Sequence, residues 1–273
     1  MTFKTIAVYV DDHDDCIDQI RVALAIAQRF QAHLTGLYVR RSLQIPTVAQ
    51  IESGTGLIET QQSMIEELEA TASSRFDNTV NNTNPELVTE WRVLDGPRNE
   101  ALENQARYTD LLIVGSPGKN SADTDIADSV VLNTGGPVLA LPNEMGTIPG
   151  KHVLIGWDGS REAARAVHDA IPFIKSAEQI RVTSIHTPQT VDTDQAAKLC
   201  AHLAKHGIEA VSENHILDSS RETGAKLLEL ADEQKTDLIV IGAYAHRRIR
   251  EIVFGGVTRE LLIDLKIPVF MSH

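Results

Sequence analysis

The sequence predicts an α/β fold made of two tandem, doubly wound, five-stranded parallel sheets. Three observations carry this. Landmarks recur in the same order in both halves, the strand candidates are continuous apolar runs, and stretches of helical period separate them.

The repeat comes first, because self-similarity decides the architecture. Lys4-Thr5-Ile6-Ala7-Val8-Tyr9-Val10-Asp11 lies over Lys151-His152-Val153-Leu154-Ile155-Gly156-Trp157-Asp158, and both are apolar runs that end on an acid. Val93-Leu94-Asp95 with Arg98 matches Ile216-Leu217-Asp218 with Arg221. Thr109-Asp110-Leu111-Leu112-Ile113-Val114-Gly115 matches Thr236-Asp237-Leu238-Ile239-Val240-Ile241-Gly242, and Pro137-Val138-Leu139 matches Pro268-Val269-Phe270. Four landmarks in one order indicate a duplicated unit.

Within each unit the strands are apolar throughout, as parallel strands covered on both faces must be. Ile17, Ile20, Leu24 and Ala27 recur at helical spacing after the first strand, as do Ala164, Val167, Ile171 and Ile174 in the second unit. Each unit therefore reads β-α-β-α-β-α-β-α-β. Arg41 to Gly56 is less regular and reads as a loop before the second helix. Asn143 to Gly150, rich in Gly and Pro, is the linker.

Of the 273 residues, 42% are hydrophobic and 23% charged, ordinary for a globular chain. No apolar run reaches the roughly 20 residues a membrane span needs. Met1-Thr2-Phe3-Lys4 leads straight into a strand-like run without signal-peptide architecture, so a cytoplasmic location is expected. Cys16 and Cys200 fall in different halves and read as free thiols of a reducing compartment. A net charge of −13 disfavours nucleic acid and anionic lipid as partners. It leaves room for one small anion, since backbone amides at a helix start bind phosphate without a lysine.

Open parallel sheets bind ligands beyond the carboxyl ends of their strands, where the strand order reverses. Three features of the second unit fall there. Asp158 ends its first strand before Gly159-Ser160 and a helix; it suits either a ribose or base-edge contact or a turn and helix cap. His186 and Thr187 follow the second strand and offer backbone groups to a base. Gly242 ends the fourth strand, and Gly242-Ala243-Tyr244-Ala245-His246-Arg247-Arg248 leads to Gly255-Gly256-Val257-Thr258. A glycine pair before a helix lets amides approach a phosphate, and His246, Arg247, Arg248 and Arg250 form a basic island in an acidic chain. The same residues also suit a solvated loop and a helix-entry turn.

Taken together, these residues resemble the universal stress protein family, with two of its domains in one polypeptide. The family's nucleotide-binding pattern is Gly, two residues, Gly, nine residues, then Gly followed by Ser or Thr. Gly242, Ala245, Gly255 and Gly256 occupy the four places, so Ala245 replaces a glycine and Gly256 the hydroxyl residue. Thr258 stands close by with a hydroxyl, and Asp158 matches the acid that contacts the adenosine part in nucleotide-binding members. The resemblance implies the adenine-nucleotide alpha-hydrolase-like arrangement of β-α repeats. It also implies universal stress domains at 1–142 and 151–273, the first with a degenerate nucleotide loop. ATP or a related adenine nucleotide, with Mg2+ as an optional companion, is expected on Asp158, His186, Gly242, Ala245, His246, Arg247, Gly255, Gly256, Val257 and Thr258. Pairing of the two domains through their last strands, Val138 to Leu141 and Val269 to Ser272, is expected too, with a further homodimer as an option.

The first unit departs further. Gly115 and Gly118 fit half the pattern, but by spacing Asp128-Ser129 stand where the second glycine pair belongs, and Asp123 and Asp125 add acid. A carboxylate there repels phosphate. Asp11 is followed by Asp12, His13, Asp14 and Asp15, without regular metal-ligand spacing. His202 and His206 stand at i and i+4, a zinc-compatible spacing lacking a third ligand. Walker loop, GxGxxG after a strand, HExxH and GxSxG are all absent, and no nucleophile is paired with a base. The expected function is a stress-response protein that responds to an adenine nucleotide in its second domain, with no catalytic residues and no metal site. The alternatives are a nucleotide-independent interaction protein and a slow ATPase.

Overall fold

A computed structural model describes residues 2–11, 16–40, 55–116, 126–145, 147–188, 194–219, 222–244, 257–263 and 265–273. In the first repeat the strands are β1 (Thr5–Tyr9), β2 (His33–Val39), β3 (Thr89–Leu94), β4 (Leu111–Gly115) and β5 (Val138–Leu141). Its helices are α1 (Cys16–Phe30), α2 (Thr55–Thr83), α3 (Arg98–Ala106) and α4 (Ile126–Thr134). The second repeat has β6 (His152–Gly156), β7 (Gln179–His186), β8 (Val211–Ile216), β9 (Leu238–Gly242) and β10 (Val269–Ser272). Between them lie α5 (Arg161–Asp169), α6 (Ile171–Ile174), α7 (Gln195–Lys205), α8 (Thr223–Glu233) and α9 (Val257–Ile263).

Each repeat is a five-stranded parallel α/β sheet with its first strand central, so the strand order reverses beside β1 and beside β6. The two sheets continue into one, in the order β3-β2-β1-β4-β5-β10-β9-β6-β7-β8. The seam is the antiparallel pair β5–β10, with Leu139 opposite Phe270. The short apolar last strands thus cover each other, and neither is left as an edge.

Alternation along the strands builds two cores. Ile6 and Val8 face the layer of α1, α2, α5, α6 and α7, while Ala7 and Tyr9 face α3, α4, α8 and α9. Both cores draw residues from both repeats. At the seam, Phe173 is fully buried, with ring centroids 5.2 Å from Phe30, 5.6 Å from Phe3 and 5.9 Å from Phe270. Arg29 crosses from α1 to donate to the Pro149 carbonyl at 3.1 Å and to Ser176 Oγ, its guanidinium 5.8 Å from the Phe173 ring centre.

The Thr-Asp landmark has a clear purpose. Asp110 accepts the amides of Lys4 and Thr5 at 2.7 and 2.9 Å. Asp237 accepts those of Gly150, Lys151 and His152 at 2.9–3.0 Å. Each carboxylate satisfies the amides that open the repeat's central strand.

Two sequence boundaries shift. The period Ala164, Val167, Ile171, Ile174 spans two helices, because Pro172 has no N–H to continue the ladder and α5 ends at Asp169. α2 begins at Thr55, so Thr55 and Gly56 belong to the helix; the rest of the irregular stretch lies outside the described residues. No helix among the described residues is long and apolar enough to cross a membrane.

Candidate functional site

The reversal of strand order in the second repeat lies between β6 and β9, which pair at Ile155 and Val240. Past this register the chain leaves β6 through Trp157, whose amide donates to the Thr183 carbonyl at 2.9 Å. Ser184 Oγ donates to the Trp157 carbonyl at 2.8 Å, which ties the strand exit to β7. Asp158 follows, exposed, its Oδ1 accepting the Ser160 amide at 2.9 Å. Gly159 takes a positive φ of 72° to complete the turn, and Ser160 caps α5 by accepting the Ala163 amide. The structure shows the turn reading of Asp158: one oxygen holds the turn, and the carboxylate is exposed at the sheet's carboxyl edge.

Gly242 ends β9 as expected, and the structure adds a reason for its lack of a side chain. A Cβ there would stand 2.3 Å from the Ala163 amide nitrogen and 2.5 Å from the Glu162 carbonyl carbon. The first turn of α5 sits directly on it. At Gly115 in the first repeat the same space is taken by the terminal amide of Gln19, a side chain.

Glu162, in the first turn of α5, is only 4% exposed. Burial opposes its ionisation, but the hydrogen bond from Arg161 Nε at 2.5 Å, a backbone hydrogen bond and the charges of Arg161 and His273 outweigh it. Its carboxyl is held below its ordinary value.

His186 ends β7 in a different role from the one the sequence suggested. Its carbonyl accepts the Leu217 amide at 2.8 Å, so that backbone group is spent on the sheet. Its side chain is buried, with Nε2 lacking a hydrogen-bond partner among the described residues. The imidazole, not the backbone, is what His186 can offer a ligand. Val257 and Thr258 open α9, with Thr258 buried at 4% exposure. Ala245, His246, Arg247, Gly255 and Gly256 lie outside the described residues, as do Arg248 and Arg250. Asp158, His186 and Gly242 are thus gathered at the carboxyl ends of three neighbouring strands.

In the first repeat, counting from Gly115 misplaces the helix start. α4 begins at Ile126 and α9 at Val257, eleven and fifteen residues after Gly115 and Gly242. Asp128 and Ser129 therefore lie inside α4 and not ahead of it, whereas Gly255 and Gly256 precede α9 in the sequence. Ser129 donates to Glu103 Oε1 at 2.8 Å. An acid still precedes the helix, so the contrast between the repeats stands on Asp125. Asp123 and Asp125 lie outside the described residues, as do Gly118 and residues 12–15.

Among the described residues, no group of three or more His, Cys, Asp or Glu side chains is placed to hold a metal ion. The His202 and His206 rings stand 4.9 Å apart, and His168 of α5 approaches His202 at 5.7 Å, a neighbour that sequence spacing did not reveal.

The Universal stress protein family matches residues 2–142 and 150–273. A universal stress protein of Mycobacterium tuberculosis is 27% identical over 143 residues, covering 45% of this chain and 96% of that relative. One from Synechocystis is 24% identical over 180 residues, 62% of this chain and 60% of that relative, so the match spans about three fifths of its length. The crystal structure of a universal stress protein from Archaeoglobus fulgidus superimposes with a TM-score of 0.72 at 14% identity, over 98% of this chain and 97% of that one. Two family matches, each spanning one half of the ten-stranded sheet, leave one assignment: the chain belongs to the universal stress protein family.

Proposed function

We propose that the chain is a cytoplasmic stress-response module whose second unit, residues 151–273, binds an adenine nucleotide, ATP or a relative, and signals its occupancy rather than turning it over. The observation that carries this is the exposed Asp158 carboxylate, fixed in a capped turn where the strand order reverses. The buried His186 Nε2 on the adjoining strand, without a partner among the described residues, supports it as a group left for a ligand to satisfy. From the sequence, Gly255-Gly256 and the basic residues His246 and Arg247 add amides and charge for phosphates. Asp158 would receive the ribose or base and Gly242, Ala245, Val257 and Thr258 would border the phosphates. Mg2+ would arrive with the phosphates, since no protein ligand set for it is found among the described residues. The unit 1–142, with acid before its last helix, would leave its own site empty and serve as the fixed partner. A net charge of −13 keeps nucleic acid off the list of partners.

The departures at Ala245 and Gly256 favour a second reading, a nucleotide-independent interaction protein of the same fold. Mass spectrometry of small molecules released from the purified, denatured chain, paired with thermal shifts on adding ATP, separates the two. The first reading expects an adenine nucleotide in the released fraction and stabilisation of about 2.7 kcal/mol at a hundredfold excess over Kd. No released nucleotide and no shift with any adenine nucleotide would leave only the second.

A further inference from the structure

We propose that the outer edge of β8 is a self-association surface, on which a second copy of this chain pairs its own β8 antiparallel about a twofold axis at Asn214. The last strands of the two repeats already cover each other within the chain, so a further copy must use another surface. The proposal does not depend on the nucleotide reading.

β8 ends the ten-stranded sheet, and among the described residues no strand pairs with its outer side. Such a row of open amides and carbonyls is normally guarded by charges, Pro, a bulge or a covering element. Val211-Ser212-Glu213-Asn214-His215-Ile216 contains neither Lys nor Pro. Its one carboxylate, Glu213, is drawn off by Arg181 of β7 and by Gln234, whose Nε2 donates to it at 2.9 Å. Val211 and Ile216 stand 57% and 59% exposed at the two ends. The opposite edge, β3, is guarded: Glu90 and Arg92 pair there at 2.7 Å with both side chains about half exposed, and an incoming strand would have to strip them of water.

Hydrogen-bond direction restricts the register. The Leu217 amide donates to the His186 carbonyl of β7, and these groups alternate in direction along a strand. Those of Glu213 and His215 therefore turn inward, and those of Ser212, Asn214 and Ile216 turn outward. Outward residues must face outward residues, so a twofold axis near the middle of the strand passes through residue 213, 214 or 215. Through Glu213, it sets that carboxylate against the partner's Glu213, which is repulsive. Through His215, it sets Glu213 against the partner's Leu217, an acid against an apolar side chain. Through Asn214, the pairs are complementary: Val211 meets the partner's Leu217, and Glu213 meets the partner's His215, each twice by symmetry. No hydrogen bond of His215 Nε2 among the described residues is lost when the ring turns to the partner, since its own Glu213 lies 3.8 Å away, beyond reach.

The helical layer fits the same pairing. α7 lies over β7 and β8. With paired strands about 4.8 Å apart, the two α7 helices come to about 10 Å of each other, at the upper end of helix packing distances. Gln195 and His202 line the groove between α5 and α7, so helical spacing turns Ala197, Cys200 and Ala204 to the opposite flank, where the second α7 arrives. All three are small enough for that approach.

The test is sedimentation equilibrium of the full chain without nucleotide, from micromolar to hundreds of micromolar, at physiological ionic strength so that the −13 charge of each copy is screened. A monomer–dimer equilibrium is expected. Asn214→Lys, which sets two ammonium groups face to face, should weaken it roughly tenfold or more. Asn82→Lys, the same change at an exposed position of α2, should leave it intact. The register is read by cross-linking, with circular dichroism confirming that each variant stays folded. Opposed Cα atoms of a hydrogen-bonded antiparallel pair lie about 5.5 Å apart, within disulfide reach. Asn214→Cys should therefore form a disulfide between two copies under oxidised glutathione, which takes up the two electrons. Ser212→Cys, out of register with its own copy, should cross-link no more than the parent. A chain that stays monomeric at every concentration would leave β8 to a strand of some other protein and overturn the proposal. Dimers untouched by Asn214→Lys, or equal cross-linking by Ser212→Cys, would overturn it too; each of these outcomes leaves the nucleotide reading standing.

Discussion

Gly242→Ala and Gly115→Ala make the same chemical change at matching strand ends, and the structure gives them different costs. At Gly242 the new methyl would meet backbone: 2.3 Å to Ala163 N, 2.5 Å to Glu162 C and 2.8 Å to Ala163 Cα. Ordinary contact begins near 3.4 Å, so the first turn of α5 would have to retreat by about 1 Å. That turn carries the Ser160 cap and the Asp158 hydrogen bond, and it cannot yield one atom at a time. Overpacking of this kind costs about 1–3 kcal/mol. At Gly115 the three nearest atoms all belong to the Gln19 terminal amide, the closest at 1.9 Å, and a shift of that flexible side chain relieves the clash for about 0.5–1.5 kcal/mol. The assay is thermal unfolding by circular dichroism, with emission from Trp157 of the second repeat and Trp91 of the first read alongside. At about 2–4 °C per kcal/mol, Gly242→Ala should lose several degrees and Gly115→Ala little. A loss for Gly115→Ala equal to or greater than that for Gly242→Ala would refute the packing argument.

Three further outcomes follow from named contacts. Phe173→Ala removes the ring that joins Phe3 and Phe30 to Phe270 across the seam, and should cost about 3–5 kcal/mol in chemical denaturation. Asp237→Ala strips the Gly150, Lys151 and His152 amides of their acceptor; a loss of about 1–3 kcal/mol is expected, and Asp110→Ala should behave alike in the first repeat. Arg161→Ala leaves the Glu162 carboxylate buried without its cation. Because the carboxyl is depressed in the folded chain, the Arg161 contribution is present above the ordinary carboxylate range and fades as pH falls through the depressed value. With Arg161 itself 77% exposed, the gap between variant and parent should be about 1 kcal/mol at neutral pH and should close in acid.

Much of the architecture was legible because it rests on periodicity and repetition. The runs Leu111–Gly115 and Leu238–Gly242 are apolar at every position and emerge as strands covered on both faces. The need to cover Val138–Leu141 and Val269–Ser272 foretold their pairing, whereas its antiparallel sense depends on how two finished sheets meet. The helix break before Ile171 was masked by a hydrophobic period that runs through it unchanged, although Pro172 signals it. The site was less legible. Asp158 and Gly242 were found from strand ends, but the α5 backbone resting on Gly242 is a tertiary contact with no sequence signature. His186 was chosen for backbone groups that the sheet consumes, since strand pairing continues one residue beyond the apolar run.

The central claim is that one repeat, the second, binds adenine nucleotide. Calorimetric titration of the full chain with ATP tests it, on the parent and on Gly255→Asp, Asp158→Ala and Asp11→Ala. The account predicts one site per chain. Gly255→Asp should abolish it, placing bulk and charge where backbone must approach phosphate, and Asp158→Ala should weaken it by about 1–3 kcal/mol, the cost of a lost charged hydrogen bond. Asp11→Ala, at the matching place in the first repeat, should leave it unchanged. Two equal sites, or a single site lost in Asp11→Ala and kept in Gly255→Asp, would contradict it.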